Sequence, residues 1–356
     1  MSDPGAITPS SSRADGIDAP GGVTMAELAR LAGTTVPTVS KVLNGRSDVS
    51  VTTRERVMRL VEQTGYRRRP RSGRAPDNET GGLVDLVIST VRGSWANLVM
   101  SGAESAAAAA GLDLVVTVSR PGQNASSDWV ARLLARRSRG ATLALLTPSS
   151  AQLQTLNAAG IPLVLLDPSA DSAAGVPSIG TTDWAGGYAA AVHLASLGHR
   201  RIGLIAGEGE YRYGRARVDG FRAGLEQAGI ELLQKRIGHA SWNRDAAASV
   251  AKRMLTSASP PTAVFACSDE MALGVYQATG ALGVAIPDQL SVVGFDDLPE
   301  SSWITPAMTT VRQPIEQMAA AAMRMLLRMR SGGHSGSARE ELSTELVVRG
   351  STTTAR

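Results

Sequence analysis

Cysteine is almost absent from this chain of 356 residues, and with Cys267 alone an intramolecular disulfide is excluded. Its setting, A-V-F-A-C-S-D-E, reads as an apolar strand, so a buried, inert thiol is expected. The four histidines, His193, His199, His239 and His334, show no ligand spacing, and neither a metal nor a cofactor is expected. Apolar stretches such as 83–88 and 143–146 have the length of strands and fall far short of a membrane span. Residues 1–22 lack the apolar core of a secretion signal and, rich in Pro, Gly and Ser, read as a disordered tail. Enzyme signatures are missing as well. There is no phosphate-binding G-x-x-x-x-G-K-S/T loop, the G-E-G-E near Gly207 is not a dinucleotide fingerprint, and no Ser-His-Asp set stands out. Catalysis is therefore not expected. With only five Trp, five Tyr and three Phe, the place of each tryptophan is informative about where a flat ligand could stack.

What is present suffices for two or three domains with real cores, since 43% of residues are hydrophobic. The net charge of +4 is unevenly spread. Residues 23–76 carry 11 Lys and Arg against 4 Asp and Glu, whereas the rest of the chain is near neutral or slightly acidic. A basic module on a neutral body is the electrostatic footprint of a nucleic-acid reader. A solvated charge run would have the same charge, so the residue pattern has to decide.

That pattern is V-T-M-A-E-L-A-R-L-A-G-T-T-V-P-T-V-S-K-V-L-N-G. Thr24 with Glu27 is a capping box opening a helix whose inward face is Ala26, Leu28, Ala29 and Ala32. Gly33 supplies the positive φ that ends it. Thr35 caps a second helix with Pro37 in its first turn and Val39, Val42 and Leu43 inward. Ser50 caps a third, with Val57, Leu60 and Val61 inward. Three short helices in this order, the first two joined by a tight turn, form a helix-turn-helix, whose second helix enters the major groove of double-stranded DNA. Val36 and Pro37 then offer apolar contact to a thymine methyl, and Lys41 can donate to guanine. Thr35, Thr38, Ser40 and Asn44 can grip phosphates. A generic three-helix protein-binding module is the competing reading.

This segment resembles the DNA-binding signature of the LacI/GalR family of repressors, and the resemblance runs from 23 to about 350. By that likeness Val36, Pro37 and Lys41 read operator bases. The linker departs from the family pattern. R-R-R-P-R-S-G-R-A-P has Ser72 and Ala75 where members carry a short hinge helix with a wedging Leu, and its Pro and Gly residues disfavour a helix. Arg67, Arg68, Arg69, Arg71 and Arg74 suit an extended strap that tracks phosphates or enters a narrow minor groove. A flexible linker adding only salt-sensitive affinity remains open.

From residue 81 strands alternate with helices: strands at 83–89, 112–118, 141–146 and 163–166, helices at 96–110, 128–137 and 150–159. A second run follows, with helices at 184–197, 217–228, 244–257 and 271–282 and strands at 201–206, 238–239, 263–267 and 290–295. The expected fold is α/β, an all-α headpiece followed by two doubly wound subdomains with a cleft beyond the carboxyl ends of their strands. This gives a tail at 1–22, a headpiece at 23–66, a basic linker at 67–80 and a sensor body at 81–356. The body resembles the periplasmic sugar-binding fold that the family shares.

Trp95, Trp184 and Trp242 fall in cleft loops, whereas Trp129 and Trp303 look like packing residues. By resemblance, Arg217 in R-V-D-G-F bridges sugar hydroxyls and Asp296 in V-V-G-F-D-D accepts from them. Asp167 holds another pocket position, Trp242 is a stacking aromatic, and Gln313 lies beside the hinge strands. Ser268 and Asp269 stand where many members have Asn-Asp. The bland alternatives are a turn cap for Asp296 and a surface ion pair for Arg217. The expected protein is a cytoplasmic regulator, a repressor or an activator, binding a near-palindromic operator as a homodimer, with no Leu heptad to make tetramers. A sugar is the expected effector and a nucleoside or purine the alternative. A transport binding protein of the same body fold is disfavoured by the headpiece.

Overall fold

The computed structural model describes residues 24–43, 49–64, 82–119, 128–170, 175–207, 211–330 and 339–355. The tail, Asn44 and the linker arginines Arg67, Arg68, Arg69, Arg71 and Arg74 lie outside these residues. The chain divides into two compact units, Met1–Asp77 and Asn78–Arg356.

The first unit contains α1 (Met25–Leu31), α2 (Val36–Leu43) and α3 (Val51–Thr64). Their starts are set by side-chain caps. The Glu27 N–H donates to Thr24 Oγ1 at 3.2 Å while the Thr24 N–H donates back to the Glu27 carboxylate at 2.8 Å. Thr35 and Ser50 accept the N–H groups of Thr38 and Thr53 at 3.4 and 3.3 Å. Gly33 has φ +59°, the left-handed turn expected after α1. Leu28, Ala29, Ala32, Val39, Val42 and Val57 form the core, with Leu43, Leu60 and Val61 packed around it. Ala26 departs from expectation. It is exposed, because the three-helix core takes up only the Leu28–Ala29–Ala32 side of α1.

The second unit is built around two six-stranded sheets. The first lobe opens with β1 (Leu83–Ile88), α4 (Ser94–Ala109), β2 (Asp113–Val118) and α5 (Asp128–Ala135). It continues through β3 (Ala141–Ala144), α6 (Ser150–Ala158), β4 (Leu163–Leu166) and β5 (Ser178–Thr181). The second lobe runs α7 (Asp183–Ser196), β6 (Ile202–Gly207), α8 (Arg212–Gln227), β7 (Ile237–Ala240) and α9 (Arg244–Leu255). Then come β8 (Ala263–Ala266), α10 (Asp269–Leu282), β9 (Ser291–Asp296), α11 (Glu300–Trp303) and β10 (Thr309–Arg312). The chain returns to the first lobe with α12 (Ile315–Arg330) and β11 (Arg339–Leu342), then ends in the second with β12 (Glu345–Val347). Strand order is β11-β5-β4-β3-β1-β2 in one sheet and β12-β10-β9-β8-β6-β7 in the other, parallel throughout except for β12.

Strands covered by helices on both faces must be apolar throughout, and β3, β4, β8 and β9 are buried at every position. Asp85, in the middle of β1, is tolerated because Arg136 and the Thr117 hydroxyl satisfy its carboxylate. The second lobe has a continuous core around Phe221, Phe265 and Phe295. In the first, the stripe Met318, Ala319, Ala322, Met323 and Leu326 of α12 packs with Val99 and Ala103 of α4. Cys267 is fully buried and its thiol is pushed up to about 12 by burial, in line with an inert side chain.

The chain thus crosses between lobes three times, and the crossings touch. The Thr181 hydroxyl donates to Gln313 Oε1 at 3.0 Å, the Thr344 N–H to Thr182 Oγ1 at 2.9 Å, and the Thr182 N–H to the Leu342 carbonyl at 3.0 Å. This three-strand hinge lies beside the cleft.

Candidate functional site

A cavity of about 410 Å³ opens between the lobes, lined from both sides by the loops that follow the strands. From the first lobe come residues 88–90 and Arg92 after β1, Gly93 to Ala96 at the start of α4, Leu145 after β3 and Asp167 after β4. From the second come Tyr213 and Arg217 on α8, Trp242 and Asn243 after β7, Ser268 and Glu270 after β8, and Asp296 and Leu298 at the end of β9. Backbone strain concentrates here. Six described non-glycine residues have positive φ, and Leu145, Asp167, Trp242 and Asp296 among them line the cavity. Such conformations cost about 1–3 kcal/mol each and persist where the surroundings over-determine them.

Arg217 is the electrostatic centre. Only 3% exposed, it donates to Asp183 at 2.9 Å, to the Cys267 carbonyl at 2.7 Å and to Asp296 at 3.4 Å, and it lies over the Phe295 ring. Burial alone would lower its pKa, but Asp183, Asp296 and Asp167 outweigh that and raise it. Asp296 accepts the Gln313 amide at 2.6 Å, which ties the cavity floor to the hinge. Burial pushes Asp296 to about 6 against the lowering effect of Arg217. Asp167 is pushed to about 7 by burial, with the neighbouring Asp183 adding to the shift. Among the described residues its carboxylate has no hydrogen-bond partner.

The aromatic wall is a set of three rings. Tyr211 stacks on Tyr213 with centroids 5.5 Å apart, and Tyr213 meets Trp242 edge-on at 5.1 Å. Trp242 fits because Gly207 and Gly214 have no side chain, and a Cβ there would come within 1.9 and 2.8 Å of its indole. Trp95 faces the cavity from the opposite lobe.

The structure therefore brings Trp95, Asp167, Arg217, Trp242 and Asp296 together, with Gln313 one hydrogen bond behind. Two expected residues are placed elsewhere. Trp184 is the second residue of α7, half exposed and stacked on Tyr188 at 5.4 Å, because the crossing from β5 turns directly into that helix. Asp269 is fully buried and its carboxylate is consumed by the Leu298 N–H at 2.8 Å and the Thr310 hydroxyl at 2.5 Å, so it fixes the β9 loop and does not line the cavity. Ser268 lines the cavity, but its hydroxyl caps α10 through the Met271 N–H at 3.2 Å. Trp129 is buried as a packing residue, whereas Trp303 is 72% exposed on the short α11, contrary to its packing assignment. Tyr213, Glu270 and Arg92 were not singled out from sequence. Tyr213 had a readable signal, since it precedes Arg217 by four residues and shares its helical face.

In the first unit, Thr35, Val36, Pro37 and Lys41 are exposed along the start and one side of α2, with Thr38 and Ser40 half-buried. The Thr35 and Thr38 hydroxyls are 2.9 Å apart. This presents a short basic-and-apolar helix face of the width that a major groove accepts. Among the described residues no helix is long and apolar enough to cross a membrane.

Comparison with known proteins agrees with both units. Residues 24–69 match the family model for bacterial regulatory proteins of the lacI family, and residues 191–352 match that of a periplasmic binding protein-like domain. The HTH-type transcriptional regulator MalR of Streptomyces coelicolor is 32% identical over 340 residues, covering 93% of this chain and 97% of MalR. The transcriptional regulator CelR in complex with cellobiose superposes with a TM-score of 0.70 at 30% identity, over 92% of this chain and 99% of that one. The lac repressor dimer bound to operator and the anti-inducer ONPF gives a TM-score of 0.73 at 26% identity, over 94% and 100% of the two chains. With its helix-turn-helix unit and its two-lobed parallel-sheet body, the chain belongs to the LacI family of DNA-binding transcriptional regulators.

Proposed function

We propose that this regulator is a homodimeric repressor whose operator affinity is set by a sugar held in the cleft. The observation that carries the reading is the hydrogen-bonded path from cavity to hinge, Arg217 to Asp296 to Gln313 to Thr181. A ligand that engages Arg217 and Asp296 acts on the residues that set how the lobes are joined. The polar groups are of the kind that bind hydroxyls, and Trp95, Tyr213 and Trp242 supply flat faces for the apolar side of a pyranose ring. The cellobiose complex of CelR supports the same reading. The cavity's work is binding and not bond-making, and the protein acts in the cytoplasm, where its DNA is. The headpiece at 23–66 presents Val36, Pro37 and Lys41 to base edges, and two copies read the two halves of a near-palindromic operator. The aromatic wall equally favours a nucleoside or purine, which is the second reading.

Effector and operator couple only through the difference in affinity between two states, typically about 1–3 kcal/mol. The test is thermal melting of the full chain against sugars, sugar oligomers, nucleosides and purines, followed by operator binding with and without the compound that stabilises it. A sugar that raises the melting temperature and releases operator supports the proposal. Stabilisation by a purine alone selects the second reading. A tightly bound sugar that leaves operator affinity unchanged refutes the coupling.

A further inference from the structure

We infer that the effector carries a protonated amine, so that the cleft selects an amino sugar over its neutral counterpart; Asp167, unpaired and buried on the cavity wall, is the residue that makes the choice. The inference rests on the sugar-sensing reading above and narrows it.

The charges around Arg217 are already matched. Arg217 is held by Asp183 and Asp296, and Asp296 accepts Gln313 as well, so this cluster is satisfied within the protein. Asp167 is not. It is 3% exposed, it lines the cavity, and no side chain or backbone group donates to its carboxylate among the described residues. Its backbone is fixed in the left-handed region at φ 47° and its N–H is tied to the Ile179 carbonyl at 2.8 Å, so it is held in place to meet a ligand. Buried acceptors in native proteins are normally satisfied, and a carboxylate on the cavity wall that no protein group engages is open to a donor brought by the ligand.

Two further observations favour a cation as that group. Glu270, in the first turn of α10, adds a second unpaired carboxylate to the lining, against which Arg92 is the one lining cation not already engaged. The faces near Asp167 are also aromatic. Its charge is felt by Tyr213 across the cleft, and Trp242 and Trp95 complete the wall. Carboxylates together with aromatic faces attract an ammonium, which the rings bind through their quadrupoles and the carboxylate through charge-assisted hydrogen bonds. A neutral sugar can donate a hydroxyl to Asp167 but brings no positive charge to add to the partial compensation from Arg217 and Arg339. Burial together with the carboxylates of Asp183 and Asp296 holds Asp167 near 7, so an arriving ammonium would ionise it fully.

The test is calorimetric titration of the full-length protein near neutral pH with matched sugars. The probes are D-glucose with D-glucosamine and 6-amino-6-deoxyglucose, cellobiose with the β-1,4-linked glucosamine disaccharide, and the N-acetylated form of each 2-amino sugar. At least one amine is expected to bind about ten-fold tighter than its neutral and acetylated partners, the difference between a neutral and a charge-assisted hydrogen bond. In Asp167→Asn, with folding checked by circular dichroism, the ratio of the two affinities is expected to fall to about one, and Glu270→Gln to lower it less. Neutral sugars that bind as tightly as the amines in every set overturn this inference alone, as does an unchanged preference in Asp167→Asn. If no sugar of either kind binds, the sugar reading fails with it.

Discussion

A buried carboxyl group without a partner makes stability depend on pH, and Asp167 sets the sign. Its pKa in the folded protein, about 7, lies above the ordinary 3.8, so between those values the native state holds a proton that the unfolded chain releases. Stability contributed by this group is therefore present below about pH 4 and is lost as pH rises through 7. Asp167→Asn removes the titration. Without ligand the variant is expected to melt higher than the parent at about pH 8, and the two should converge near pH 4. His193 and His199, whose pKa values burial lowers, act the opposite way in the acid range, so the difference between variant and parent is the quantity to read. Identical melting temperatures at both ends of the range would show that the native state does not protect the proton. Asp269 is a useful contrast. Burial raises it too, but its carboxylate is fully used by Leu298 and Thr310, so the group serves the fold and offers nothing to a ligand.

Elements set the geometry that single residues cannot. The tryptophan slot is made where the end of β6 and the first turn of α8 meet, with glycine in both. Gly207→Ala places a methyl 1.9 Å from the indole of Trp242, so the ring must leave the cavity wall. Weaker effector binding, with a melting temperature within a few degrees of the parent, is the expected result; unaltered effector affinity would mean that the ring does not contribute. In the other unit Lys41 is exposed on α2. Lys41→Ala is expected to weaken binding to the operator by about 1–3 kcal/mol while leaving binding to unrelated DNA nearly unchanged. Equal losses on both DNAs, measured at one salt concentration, would reassign Lys41 to phosphate contact.

The elements also explain what could be read in advance. Caps and apolar periodicity are local, so Thr24, Thr35, Ser50 and the buried strands β1, β3, β4, β8 and β9 were legible. The short β5, with Gly180 among its four residues, and the charged edge strand β11 carry no such signal, because they are strands by virtue of their neighbours, β5 pairing with β4 and β11 with β5. The Met and Ala stripe of α12 is periodic in the same local way. Within the site, strand-end positions located the cavity, but the direction a side chain takes there depends on its neighbours. That separates Asp167, which faces the ligand space, from Asp269, which is turned to the β9 loop.

At the scale of the whole molecule, Trp303 is the most exposed large hydrophobic side chain among the described residues, 72% exposed on α11, which begins within two residues of the cavity-lining Leu298. An exposed indole of this size suits an interface between two copies, where buried aromatic residues carry much of the binding energy. Trp303→Glu is expected to shift the sedimentation coefficient at micromolar concentration from dimer to monomer and to weaken operator binding accordingly. A variant that still sediments as a dimer would place the two-fold contact elsewhere.

The third crossing of the hinge has a consequence for how the protein is made. Each sheet is closed at one edge by a strand from the same short stretch, β11 on β5 and β12 on β10, separated only by Ser343 and Thr344. A ribosome delivers these strands after all the others, and the first lobe must also wait for α12, synthesised after most of the second lobe. Until then the nascent chain has two raw sheet edges open to pairing with other strands. The body is therefore expected to complete its folding late, after residue 347 has emerged, and to profit most from a chaperone in the interval before that.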